Sequence, residues 1–351
     1  MTDDHGIHFE QRGRAGVITL DRPEALNAVT DGMVRAIDAR LDDWERDDSV
    51  RRIVIHASPG RAFSAGGDIR HLYESGMAGD PDFGFFAREY ALNARIHHFP
   101  KPYIALIDGI AMGGGVGVSF HGSHRIVGEK AAFAMPEVGI GFFPDIGGSY
   151  LLSRLPGKLG LYLALTGERL KQADCVASGL ATHGCTSDQM PTLLNDLCQA
   201  ETLVDVLDGL PQSYEPSDAA QWSWINDAFK AQSVEHIIEA LDHAAASEHE
   251  AHANWAAKTI ETLGTKSPTS LKLAFEQLRR ATHLPMVDCM RMEYRILRRV
   301  LPQREFYEGI RAAIIDKDGA PQWQPASLSD VSAEMVVRYF LPLGEEELNL
   351  P

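Results

Sequence analysis

Glu137 and Asp145 stand eight positions apart in the run Met135-Pro136-Glu137-Val138-Gly139-Ile140-Gly141-Phe142-Phe143-Pro144-Asp145-Ile146-Gly147-Gly148, which is otherwise apolar and punctuated by glycine. A carboxylate taken out of water must be hydrogen-bonded, paired with a charge, or held with a raised pKa that suits proton transfer. Two of them in one apolar stretch point to acid/base chemistry. The same residues also suit a structural role. A Glu after Pro favours the first turn of a helix, and an Asp before Ile-Gly-Gly suits a turn or cap.

Two glycine-rich segments upstream bear on that choice. Phe63-Ser64-Ala65-Gly66-Gly67-Asp68-Ile69-Arg70 follows Arg52-Ile53-Val54-Ile55-His56-Ala57, which reads as a short buried strand. Paired glycines let a ligand oxygen approach free backbone N–H groups, which makes an oxyanion site without a charged side chain. An ordinary strand-to-helix turn capped by Asp68 is the alternative. The stretch from Tyr103 to Phe120 repeats the pattern, with an apolar strand, then Gly113-Gly114-Gly115, then a helix. It fits neither G-x-G-x-x-G nor a P-loop, and Ser119 is not in a G-x-S-x-G elbow, so nucleotide and α/β-hydrolase readings lose support. Two such turns can supply two N–H donors to one carbonyl oxygen.

The order Leu20-Asp21-Arg22-Pro23-Glu24-Ala25-Leu26-Asn27-Ala28, Ala62 to Ile69, Ile107-Asp108-Gly109 with Gly113-Gly114-Gly115, and Pro136-Glu137 resembles the crotonase (enoyl-CoA hydratase/isomerase) superfamily. Within it, Ala134-Met135-Pro136-Glu137 with Phe143-Pro144-Asp145-Ile146-Gly147-Gly148 is similar to the branch that hydrolyses 3-hydroxyisobutyryl-CoA. So are Phe86-Ala87-Arg88-Glu89-Tyr90 and the run Glu308 to Asp318, so the resemblance covers nearly the whole chain. It implies an α/β fold, a spiral of repeated ββα units with a C-terminal helical lobe. It implies that N–H groups at Gly67 and Gly114 form the oxyanion hole for a CoA thioester carbonyl. Glu137 matches a catalytic glutamate, while Asp145 and Glu89 match further active-site positions of the hydrolases. Gly66 and Asp68 flank the first donor, and Arg22 lies in the segment that runs beside the CoA pocket.

One departure narrows the chemistry. Hydratases carry a second Glu just after the triple glycine, and this chain has Gly117 there. A glycine can neither hold nor deprotonate water, so hydrolysis at the thioester carbon fits better than addition to a double bond. The expected activity is hydrolysis of 3-hydroxyisobutyryl-CoA to 3-hydroxyisobutyrate and CoA, a step of valine breakdown. Glu137 would either attack the carbonyl or act as general base. A hydratase or isomerase of the same fold, or a non-catalytic acyl-CoA binder, are the alternatives. No cofactor is expected, since CoA is part of the substrate.

Composition sets limits. With 351 residues, 44% of them hydrophobic, the chain has enough for a large domain and an additional lobe. No window is long and apolar enough to span a membrane. The N-terminal residues resemble neither a secretory signal nor an Arg-rich presequence, so a cytoplasmic enzyme is expected. Cys175, Cys185, Cys198 and Cys289 lack C-x-x-C spacing, which argues against a metal site or disulfides and for small buried hydrophobes. The formal net charge of −16 argues against nucleic acid and anionic membranes. It also opposes an anionic CoA, so local cations must offset it, with Arg22, Lys101, Lys266 and Lys272 as candidates. His56, His71, His121 and His124 have no Ser or acid partner at a recognisable spacing.

These residues must be positioned by secondary structure. Residues 7 to 21 alternate as a hairpin turning at Arg12-Gly13-Arg14, and 30 to 47 read as an amphipathic helix starting at Thr30. Alternating strands and helices continue to about residue 190, giving the core as 1–190. A helical region over 191–316 would close the acyl pocket or pack subunits into a homo-oligomer. Helices are expected at 218–231, 234–246, 250–264, 268–281, 285–300 and 303–315, the fourth launched by Ser267-Pro268. Residues 317–351, with Trp323 and Pro325, are expected to form an extended tail.

Overall fold

A computed structural model describes residues 6–350. They form two compact units interleaved in sequence. The first takes residues up to 68, 84–134 and 169–217; the second takes 69–83, 135–168 and 218 onward.

The first unit carries every strand found among the described residues: β1 (Ile7–Arg12), β2 (Ala15–Leu20), β3 (Arg52–Ala57), β4 (Ala62–Ser64), β5 (Tyr103–Ile107), β6 (Ile110–Met112), β7 (His124–Val127), β8 (Ala132–Ala134), β9 (Leu170–Lys171) and β10 (His183–Gly184). One sheet has the order β1-β2-β3-β5-β7-β10 and the other β4-β6-β8-β9. Apart from the β1–β2 hairpin and the β8–β9 pair, neighbouring strands are parallel. From β3 to β8 successive strands alternate between the sheets, and helices follow β4 and β6, which is the ββα repeat expected. Parallel strands are covered on both faces and so read as unbroken apolar runs. Ile53, Val54 and Ile55 of β3 are accordingly all buried.

Two helices brace these sheets. Asp31–Arg46 starts where expected, because the Thr30 hydroxyl accepts from Met33 N–H at 3.2 Å. Its last carbonyls are met by Lys101, whose Nζ donates to the carbonyls of Trp44 and Asp47. Phe83–His97 is pinned to it by Arg95, which bonds Asp38, Asp42 and Glu45 at 2.6–3.0 Å, and by Arg88 to Asp31 at 2.6 Å. Several charges on one half-buried Arg form a network, which holds geometry better than an isolated surface pair.

The second unit is helical. Its helices include Ala219–Phe229, Val234–Ala245, Glu250–Gly264, Pro268–Ala281 and Met286–Val300, close to the expected spans. The Ser267 hydroxyl accepts from Ser270 N–H, with Pro268 in the first turn. The helix expected at 303–315 ends at Ile310 and passes into a π-helical turn, Arg311–Ile315. Arg311 fixes that turn through Glu308 at 2.9 Å and Asp316 and Asp318 at 2.6 Å. The tail is not simply extended. Ala333–Arg338 is a short helix capped by Ser332, and Val331, Val336 and Phe340 are buried, with Arg280 over the Phe340 ring at 4.3 Å. Only Val336 of that helix is buried, with Val331 and Phe340 on either side of it, so the apolar face is one turn long. No helix among the described residues is long and apolar enough to cross a membrane.

Candidate active site

In the first unit β4 feeds the turn Ala65-Gly66-Gly67-Asp68. Gly66 has a φ of 127°, which residues with side chains rarely adopt. Val29 holds the turn on both sides: its N–H donates to Gly66 O at 2.8 Å, and its carbonyl accepts from Asp68 N–H at 3.1 Å. Gly67, paired with Val29 in a parallel bridge, keeps its own N–H without a backbone acceptor among the described residues. The space in front of it is open, since a Cβ there would have no atom within 4 Å.

β6 leads through Gly113 into the short helix Gly114–Gly117, whose first N–H groups have no intrahelical acceptor. A Cβ on Gly114 would lie 3.4 Å from Gly67 N and 2.8 Å from Glu89 Oε1. Gly67, Gly114 and Glu89 therefore meet, and any side chain at 114 would fill the space between them. Glu89 is buried on the Phe83–His97 helix, whose seat is fixed by Arg88 and Arg95. One turn further, Asn93 is fully buried against Gly117, with its amide nitrogen and oxygen 2.7 and 2.9 Å from where a Cβ of residue 117 would be. Arg22 is engaged locally: it donates to Ala28 O at 2.8 Å and reaches Asp68 at 3.9 Å.

In the second unit Glu137 opens a 3-10 turn, Glu137–Ile140, and is 7% exposed; Asp145 is 5% exposed. Burial raises the Glu137 pKa well above the ordinary carboxyl range, and the negative charges of Asp145 and then Glu293 add to it. Its Oε2 is buried without a hydrogen-bond partner among the described residues. Glu293, on Met286–Val300, is a third carboxylate of this group and has no exposure. It accepts from Gly147 N–H at 2.7 Å, from Ser149 N–H at 3.0 Å and from the Ser149 hydroxyl. Burial pushes it up to about 8, against the pull of those hydrogen bonds. Gln277 adds a further tie, donating to Pro144 O at 2.6 Å.

Sequence reasoning did not single out Glu293 or Asn93. The signal for Glu293 lay in its helix, where a charge sits among Met290, Ile296 and Leu297 on the buried face. Asn93 carried no comparable signal. Among the candidate cations, Lys101 is spent on the helix carbonyls above, and Lys272 bonds Glu235 and Val331 O. Lys266 is half-buried, its Nζ 3.6 Å from where a Cβ of Gly139 would lie, and burial lowers its pKa. His56 bonds Thr19 at 2.9 Å and His124 stacks on His183, while His71 is exposed and His121 buried. The four cysteines are buried and free, and burial pushes Cys175, Cys185 and Cys289 up to about 12.

The family profile described as Enoyl-CoA hydratase/isomerase matches residues 15–340. A Xenopus tropicalis protein named 3-hydroxyisobutyryl-CoA hydrolase, mitochondrial, is 46% identical over 96% of this chain and 89% of its own length. The Homo sapiens protein of the same name is 41% identical over 97% and 90%. The solved structure of a carnitinyl-CoA dehydratase from Mycobacterium thermoresistibile matches with a TM-score of 0.91 at 40% identity, covering 99% of both chains. That of an enoyl-CoA hydratase from Rhodobacter sphaeroides matches with a TM-score of 0.89 at 38% identity, covering 98% and 100%.

Proposed function

The chain belongs to the enoyl-CoA hydratase/isomerase family, and on that premise we propose that it hydrolyses the thioester of a short branched β-hydroxyacyl-CoA, 3-hydroxyisobutyryl-CoA above all. The single observation that carries the choice of hydrolysis over hydration is Gly117, with the Asn93 amide in the space a side chain there would need. The relatives named 3-hydroxyisobutyryl-CoA hydrolase support the same choice. Two of the solved structures bear dehydratase and hydratase names, so hydration is the second reading. It requires a second carboxylate that position 117 lacks.

In the proposed reaction the N–H groups of Gly67 and Gly114 hold the thioester oxygen as it gains negative charge. Each such donor contributes about 3 to 4 kcal/mol in comparable acyl-transfer sites. Gly66 and Asp68 keep the first donor in its turn, and Glu89 fixes the acyl group. The role of Arg22 is to hold the loop beside the CoA. Glu137 either attacks the carbonyl carbon, giving a mixed anhydride that water later cleaves, or deprotonates the attacking water. In both routes the C–S bond breaks and the departing thiolate takes a proton to become free CoA. Asp145 orients the water or the substrate hydroxyl. Burial and the charge of Asp145 hold the Glu137 carboxyl above its ordinary range, which makes it a stronger base than an exposed carboxylate and supports acid/base work.

We assign the enzyme no cofactor beyond the CoA of its substrate, a place in valine breakdown and a cytoplasmic setting. The relatives' names put those proteins in mitochondria, and cell fractionation decides the compartment for this one. Assembly into a homo-oligomer is read out by light scattering. Glu137→Gln tests the chemistry: turnover falls at least about a hundredfold while CoA affinity changes little. Near-normal turnover removes Glu137 from the reaction. A single turnover in oxygen-18 water separates the routes: a mixed anhydride cleaved by water at the glutamyl carbon leaves label in Glu137, whereas the general-base route puts label in the acid product alone.

A further inference from the structure

The Asn93 side chain is fully buried, and neither its amide nitrogen nor its amide oxygen has a hydrogen-bond partner among the described residues. Buried polar groups in folded proteins are almost always satisfied, and leaving both halves of an amide unpaired is costly. The amide lies against Gly117, its nitrogen 2.7 Å from where a Cβ of that residue would be, and Gly117 is the last residue of the short helix whose first residue, Gly114, meets Glu89. Glu89 and Asn93 lie four residues apart on Phe83–His97, so they present polar groups to the two ends of that turn. One turn of helix spans about 5.4 Å.

We propose that Asn93 is a specificity-determining residue whose amide binds the β-hydroxyl of the acyl chain. The inference rests on the thioesterase reading above. An Asn amide offers N–H donors and a carbonyl acceptor, and a hydroxyl is the small group that both accepts and donates. With the thioester oxygen on the N–H groups of Gly67 and Gly114, a hydroxyl two carbons beyond the carbonyl lies within one helical turn of that anchor. A plain acyl chain puts a methyl or methylene there and leaves the amide unpaired. Sites built to bond a substrate hydroxyl reject the analogue that lacks it far more strongly than an apolar pocket rejects a missing methylene.

The test uses the full-length protein and two esters, 3-hydroxyisobutyryl-CoA and isobutyryl-CoA, with kcat/KM from thiol release. The wild-type enzyme prefers the hydroxylated ester, and Asn93→Leu lowers that preference by at least about tenfold. Asn93→Asp keeps the shape and an acceptor but loses the donor, so it lowers the preference too and serves if the leucine variant does not fold. A merely structural amide, or one satisfied by an ordered water, gives equal losses on both esters, which overturns the assignment. So does a wild-type enzyme indifferent to the hydroxyl. If the wild-type protein releases CoA from neither ester, the hydrolase reading fails and this inference falls with it. Release with an unaltered preference in both variants defeats the Asn93 assignment alone.

Discussion

Replacing Glu293 by Gln keeps its shape and removes its titration. In the folded protein burial pushes this carboxyl up to about 8, against an ordinary value of 4.5. Because the folded value is the higher one, the folded state holds the proton more tightly across that window. The stability from the protonated carboxyl is fully present below 4.5 and is lost as the pH rises through about 8. At about 1.36 kcal/mol for each tenfold difference in proton affinity, the loss is on the order of 5 kcal/mol. Gln cannot lose a proton and escapes it. It has its own cost, because an amide NH2 must face one of the donors at Gly147 and Ser149 that the carboxyl accepts from. One unsatisfied buried donor costs about 1–3 kcal/mol. Glu293→Gln is therefore less stable than wild type by that amount below about pH 4.5, and the difference shrinks as the pH rises and has reversed by about pH 7. Urea unfolding at several pH values reads this directly, with linear extrapolation to water. A difference that stays constant from pH 5 to pH 9 refutes the reasoning.

Asp145→Asn removes the neighbouring charge that, after burial, most raises Glu137. The acid limb of the kcat/KM profile accordingly moves to lower pH, beyond any drop in rate; an unmoved limb separates Asp145 from Glu137 electrostatically. Gly117→Ala brings a Cβ to 2.7 Å from the Asn93 amide. Overpacking of this kind costs about 1–3 kcal/mol. Combining it with Asn93→Ala relieves the clash, so the double variant is more stable than the sum of the single losses predicts, and strict additivity in thermal unfolding contradicts the contact.

What the sequence made legible was local. Thr30 and Ser267-Pro268 announce helix starts through their caps, and the runs of β3 and β5 announce buried strands through unbroken apolar character. The two glycine turns were legible because only glycine suits a φ of 127° at Gly66 and close approach at Gly114. The long-range partners were not. Glu293 lies 148 residues after Asp145 and reaches its group only by helix packing. Asn93 sits against Gly117 because Arg88 and Arg95 seat its helix, and neither contact leaves a mark in residue order. The division into two units is also hidden, since each draws on three separate stretches of chain. The run Glu308 to Asp318 was visible as a motif, but its physical content, Arg311 gathering three carboxylates, emerged only in three dimensions.

The central claim is that a backbone oxyanion pair and buried carboxylates serve thioester hydrolysis because the hydratase carboxylate is absent at Gly117. It is tested most directly by giving the purified protein 3-hydroxyisobutyryl-CoA and crotonyl-CoA side by side, following free thiol and loss of the double bond. Release of CoA from the first with no hydration of the second is the predicted result. Hydration of crotonyl-CoA without thiol release from either ester contradicts it.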